Sequence, residues 1–338
     1  MTAVAAKPRA AERLRTFKRK HPVFRLVVVR LLIGVLTLWL VSVVIFAATQ
    51  ALPGNAAYAV LGRSATPARL HAYEVQLHLN RPVIDQYGSW IGGVLHGRFG
   101  TSLANGESVS ALIGPRLVNS AVLVALSGVI SVLVAVILGI LTAAKRDTWF
   151  DHTASALALA VIALPEFVVA IALVILFAVL VLHALPAVSQ IPPGGYPWQY
   201  PNELILPVAT LVIVIGPYAF RITRGAMIDA LESDHVEMAR LKGLSSRRVL
   251  FVHAFPSAIP PVIQVVGLSL LYLAGGIVVV EYVFNYPGVG AALVDAVSNR
   301  DIPTIQFLVL ALATFYVVVN IGTDVIALLA SPRRRAPQ

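Results

Sequence analysis

The chain has 338 residues, of which 58% are hydrophobic and only 12% charged, and its net charge is +10. A soluble domain usually carries about 25% charge; with a mean hydropathy of +0.83, this composition points instead to a membrane-spanning protein. There is no cysteine, which excludes a disulfide framework and a thiolate metal centre, and the eight histidines are scattered without an H-E-x-x-H pair, so no metal site is expected.

The chain opens on a basic segment, 1–25, ahead of the apolar run 26–48. That outline resembles a signal peptide, and "FAATQA" loosely resembles a cleavage site. The run is longer than the roughly 7–15 residues of a signal core, so it reads as an uncleaved first span. Six stretches approach the roughly 20 apolar residues that cross a bilayer: 26–48, 118–143, 153–182, 204–220, 258–280 and 305–330. With the N-terminus inside, nineteen Lys and Arg fall on inner segments and six on outer ones, with Arg30 inside the first span. Basic residues favour the cytoplasmic side. Both termini, including the basic tail 331–338, are therefore expected in the cytoplasm, and the protein in the plasma (inner) membrane. Topology accounts for the positive charge, so no nucleic-acid partner is needed.

Residues 49–117 form an extracytoplasmic insertion. Thr66 as N-cap and Pro67 at the first helical position predict a helix toward Asn80, with Leu70, Tyr73 and Leu77 on one face. A second helical piece, "DQYGSWIGGVLHG", follows. Two readings stand, a cap packed on the membrane domain and a docking surface for an outside partner. "GGVLHGRFG" contains G-x-x-x-x-G, but Arg98 and Phe99 follow where a phosphate loop needs Lys and then Ser or Thr. No nucleophile elbow or paired-carboxylate arrangement occurs elsewhere, so the chain is expected to catalyse nothing by itself.

The remaining apolar region, 118–330, is interrupted by a charged loop, 221–257. Arg221 and Arg224 mark its membrane interface. Asp234 is placed to cap a short helix, with Glu237 three positions later completing a capping-box pattern. That helix ends at Gly243, where a left-handed cap is expected, and Ser245 caps a second helix leading toward Pro256. A helix of about nine residues is marginal alone and must pack against something. Ala239 and Gly243 share a face that allows close backbone approach. Val236, Met238 and Leu241 add apolar contacts, and Glu237, Arg240 and Lys242 offer charged handles. From the residues alone this is either a solvated interfacial loop or a plug for a groove on a cytoplasmic protein.

"EMARLKG", with His253 ten residues beyond the glycine, resembles the EAA coupling loop of ABC-importer permeases, in the form found in the dipeptide, oligopeptide and nickel permease family. "QALPGNAA", "GRFGTSL", "EYVFNYPGVGAALVDAV" and the segment beginning "RDIPTIQ" match that family in order, so the resemblance covers nearly all of 26–335. Met238 departs from the usual alanine of the triplet, and "LHLNRP" replaces the usual "LGLDKP". The resemblance implies an all-α membrane protein of six transmembrane helices, with an extracytoplasmic helical insertion between the first and second and a cytoplasmic coupling-helix loop between the fourth and fifth. It implies a permease for dipeptides or oligopeptides, or for nickel, glutathione or another small solute. The implied partners are a second homologous permease, two ATP-binding domains that hold ATP and magnesium, and an extracytoplasmic solute-binding protein, within membrane lipid. The chain itself would bind no cofactor. Asp234, Glu237, Ala239, Arg240, Gly243 and His253 are the implied ATPase-coupling positions. A stand-alone channel or secondary transporter would instead show inverted repeats or several intramembrane charges, and neither is apparent.

Few polar residues interrupt the spans. Glu166 lies about halfway along the third, just after Pro165, where a kink is expected. A carboxylate at that depth is costly and should face the bundle or a watery path; it either meets a peptide amine, or is protonated or bonded to a neighbouring helix. Glu281 falls at the outer end of the fifth span, with Asn285, Pro287 and Gly288 in the turn beyond it. That group lines a gate or simply stops the helix. Asn320 and Asp324 share a face of the last span, where an interhelical contact is expected of Asp324.

Overall fold

The computed structural model describes residues 22–51, 66–67, 81–180, 185–192 and 194–330. The basic tails and most of the helix expected from Thr66 to Asn80 lie outside the described residues. Among those described the fold is all-α, with one isolated bridge between Thr101 and Ser108.

The first span is α1 (Pro22–Gln50). The second outer piece forms as α2 (Val83–Leu95), which packs on the end of α1: Tyr87 shares a 2.8 Å hydroxyl contact with Ser42, and Trp90 stacks on Phe46 at 5.7 Å. The second span, α3 (Val109–Ala144), starts nine residues before the expected boundary. At 1.5 Å per residue it is about 54 Å long, beyond the roughly 30 Å hydrocarbon layer, so part of it extends past that layer.

The third span is not continuous. α4 (Trp149–Ile162) and α5 (Glu166–Val174), which runs on as a π-helix to Leu180, meet at a 104° bend. Pro165 has no N–H to donate and disfavours helical backbone at Leu164, so the ladder ends there. Glu166 is accordingly the first residue of α5 rather than the midpoint of a straight span. The fourth span, α6 (Pro201–Leu231), extends eleven residues past its expected end, carrying Arg221 and Arg224 on its final turns. After α7 (Asp234–Leu241), the fifth span α8 (Ser246–Val283) passes through a π-helical stretch at Val249–Ala254. α9 (Val289–Ser298) is a short helix, and α10 (Ile302–Ala330) is the last span.

α3 and α6 form the most extensive pair, α8 packs on α6, and α10 bridges α8 to α1. One buried cluster joins Ile140 and Ala143 of α3, Met227 and Ala230 of α6, Val236 and Ala239 of α7, and Val249, Ala254 and Ala258 of α8. An opposite cluster joins Val109 and Ile113 of α3 with α9 and the start of α10. The segments expected on the basic side thus meet at one end, and those expected outside meet at the other.

Candidate functional site

The charged insertion is built from local signals. Ser233 is the N-cap of α7, with extended backbone (φ −74°, ψ 146°), and its carbonyl accepts from the N–H groups of Val236 (2.9 Å) and Glu237 (3.0 Å). The cap is therefore one residue earlier than expected. The Asp234–Glu237 capping box does not form, because Asp234 is already the first helical residue and the Ser233 hydroxyl donates to the Ala230 carbonyl (2.5 Å). Both carboxylates still lie in the first turn, where they favour the helix dipole. At the other end Gly243 has φ +76°, as expected. Its N–H donates to the Arg240 carbonyl (2.9 Å), and the Leu244 N–H donates to the Ala239 carbonyl (3.4 Å), which is the Schellman pattern. Ser245 holds the next cap position without a side-chain hydrogen bond.

An eight-residue helix needs a seat, and α7 finds it in its own chain. Val236 and Ala239 are buried in the cluster formed by α3, α6 and α8. This corrects the expected partner face: Ala239 points into the bundle, and Gly243 has no neighbour, its role being conformational. Of the three apolar residues only Met238 (54% exposed) and Leu241 (75%) face outward, beside Asp234 and Glu237. His235 Nε2 lies 3.3 Å from both the His253 carbonyl and the Ser257 hydroxyl, tying α7 to α8. Beside α7 runs a groove of about 470 Å³ lined by Arg146, Glu232, Arg240 and Arg247 among others, in which Arg146 pairs with Glu232.

The same end holds a contact that sequence reading missed. Asp151, 2% exposed, accepts from Arg224 Nε (2.5 Å) and Nη2 (2.6 Å), and from the Asp147 N–H (3.1 Å). This two-pronged pair locks the α3–α4 turn onto α6 just before α7. Local pattern offers no signal for it, since the partners are 73 residues apart.

At the end of the bundle opposite α7, Glu281 is fully buried. Its carboxylate accepts from the Ser120 hydroxyl (2.5 Å) and from the N–H groups of Gly290 (2.6 Å) and Ala291 (3.3 Å). Gly288 packs directly on that carboxylate, leaving no room for a side chain. Asn119 Nδ2 donates to the Pro287 carbonyl (2.8 Å), and the Tyr286 hydroxyl donates to the Asn119 carbonyl (2.8 Å). Asn285 is exposed, at φ +49°. The carboxylate thus closes the end of α8 onto the start of α9. Asp324 makes the expected interhelical contact, an ion pair with Arg30 of α1 at 2.6 Å. Asp301 anchors the "GRFGTSL" segment to α10, accepting from the Ser102 hydroxyl, the Leu103 N–H (3.0 Å) and the Thr304 hydroxyl (2.8 Å).

Long apolar helices and a seated helix exposing an apolar-acidic face at the basic end fit a multi-pass membrane permease component. The chain belongs to the family described as the binding-protein-dependent transport system inner membrane component, whose profile matches residues 135–336, and the family's N-terminal profile matches 23–126. It is a permease subunit of the ABC importer class. It is similar to a provisionally named peptide transport system permease protein of Brucella abortus, 35% identical over 296 residues, 88% of this chain and 94% of the relative. A peptide ABC transporter permease of Sinorhizobium fredii, also provisionally named, is 34% identical over 310 residues, 90% of this chain and 97% of the relative. The glutathione transport system permease protein of Escherichia coli is 33% identical over 309 residues, 91% of this chain and 98% of the relative.

Proposed function

We propose that this permease imports dipeptides or oligopeptides, forms half of the translocation path with a second, similar permease, and is driven through α7 by two cytoplasmic ATP-binding domains that hold ATP and magnesium. The observation that carries the coupling role is the division of α7 into an inward face locked where α3, α6 and α8 meet and an outward face of Asp234, Glu237, Met238 and Leu241. A push on the outward face is delivered directly to the ends of three spans. In this reading the basic end, with both termini, is cytoplasmic, as Lys and Arg bias predicts, and an extracytoplasmic binding protein delivers solute to the opposite end. ATP binding then shifts the pair between inward-open and outward-open states by differential affinity.

Peptide as substrate is supported by the names of the Brucella and Sinorhizobium relatives. The Escherichia relative supports a second reading, glutathione. The test is reconstitution in proteoliposomes with the partner permease, ATPases and binding protein. Loaded binding protein is expected to raise ATP hydrolysis and import with a panel of dipeptides and tripeptides. Stimulation by glutathione alone would select the second reading, and no stimulation by either would overturn both.

A further inference from the structure

The break in the third span opens a cleft that neither α7 nor the Glu281 closure uses. It holds about 340 Å³ and is lined by Pro165, Glu166 and Phe167 at the start of α5, Tyr218 of α6, and Ser269 and Tyr272 of α8, with further apolar residues. α4 is about 21 Å long, less than the roughly 30 Å hydrocarbon layer, so the break falls at membrane depth. Glu166 is half-buried, no Lys, Arg or His lines the cleft, and the carboxylate has no hydrogen-bond or ion-pair partner among the described residues. It leans on α8 at Gly276, where a Cβ would come within 2.9 Å of Oε1. The Ser269 hydroxyl, 2% exposed, is also without a partner among the described residues. The Tyr218 and Tyr272 rings stand 6.1 Å apart. Tyr218 also lines an adjoining cleft of about 440 Å³ that runs along α6 past Ser155 and Arg221, so the two cavities share a wall.

An uncompensated carboxylate, an orphan hydroxyl and two tyrosine rings around one apolar cleft are complementary to an ammonium group. The carboxylate attracts it strongly in reduced dielectric, the rings add cation–π attraction, and the hydroxyl accepts a hydrogen bond. We infer that the Glu166 cleft is a transient docking site for the ammonium end of a passing solute, and that it biases this permease toward solutes with a free primary amine. The inference rests on the importer reading and deepens it.

Two measurements test it separately from that reading. The chain has no cysteine, so Tyr272→Cys places a single thiol of this subunit at the cleft mouth. In the assembled complex, cationic 2-aminoethyl methanethiosulfonate is expected to modify it about tenfold faster than the anionic 2-sulfonatoethyl reagent, each normalised to a free thiol. Adding Glu166→Gln is expected to remove the preference. A normalised ratio near one with Glu166 present overturns the inference.

In proteoliposomes, Glu166→Gln is expected to lower import of trialanine about tenfold at saturating binding protein, and Glu166→Asp to restore most of it. Unchanged import by an assembled Glu166→Gln complex overturns the inference. If Glu166→Gln does not assemble, Ser269→Ala is compared in the same assay and is expected to lower import in the same direction. If the unsubstituted complex imports no peptide, the peptide reading falls and the thiol ratio alone decides the cleft.

Discussion

At the scale of the residue, Glu281 shows how a membrane helix tolerates a carboxylate. Its oxygens receive three donors, two of them backbone N–H groups at the start of α9 that no helical carbonyl satisfies. The carboxyl group also meets the positive end of that helix. Removing the acceptor strands all three donors. Glu281→Ala is therefore expected to destabilise the subunit by about 3 kcal/mol, read as a lowered melting temperature in detergent. Glu281→Gln, which keeps one acceptor oxygen, should lose less, and an order opposite to this would refute the closure role. Glu281 and its glycines were visible in the sequence as a motif. What the carboxylate touches was not, because Ser120 is 161 residues away.

At the scale of the element, α7 was legible in its limits and not in its orientation. Ser233 and Gly243 set its ends through local backbone chemistry, and even the one-residue error at the cap came from a competing local bond, Ser233 to the Ala230 carbonyl. Its apolar residues lie on opposite faces, so hydropathy alone does not say which face is seated; the pocket formed by Ile140, Met227 and Ala254 decides that. The two faces predict opposite phenotypes. Met238→Asp with Leu241→Asp should leave the subunit's melting temperature unchanged while lowering co-purification of ATPase subunits about tenfold or more, a hot-spot effect. Ala239→Leu should instead lower stability by about 1–3 kcal/mol through overpacking, visible as loss of monodisperse protein. Equal stability loss in both variants would refute this division.

At the scale of the whole molecule, polar ties between distant segments hold the spans in place. Arg30 with Asp324 joins the first span to the last, Asp301 joins the outer loop to α10, and Asp151 with Arg224 joins the third span to the fourth beside α7. Breaking a buried pair on one side leaves an uncompensated charge. Asp151→Asn is expected to cost about 2–3 kcal/mol, somewhat below the usual penalty because Arg224 is partly exposed, and a further Arg224→Met should recover part of the loss. A double variant no more stable than Asp151→Asn, by thermal unfolding of the assembled complex, would show that the pair is not what holds this joint.

The apolar runs that become the long helices, their order and the ends of the helix in the charged insertion were legible in the sequence alone, because apolar run length and cap residues act over a few neighbouring positions. The kink at Pro165 was local as well, while the tertiary structure decided the inward seating of Ala239, the enclosure of Glu281 and the pairing of Asp151 with Arg224. Each of these depends on how the helices pack, which brings together groups whose separation along the chain carries no local trace.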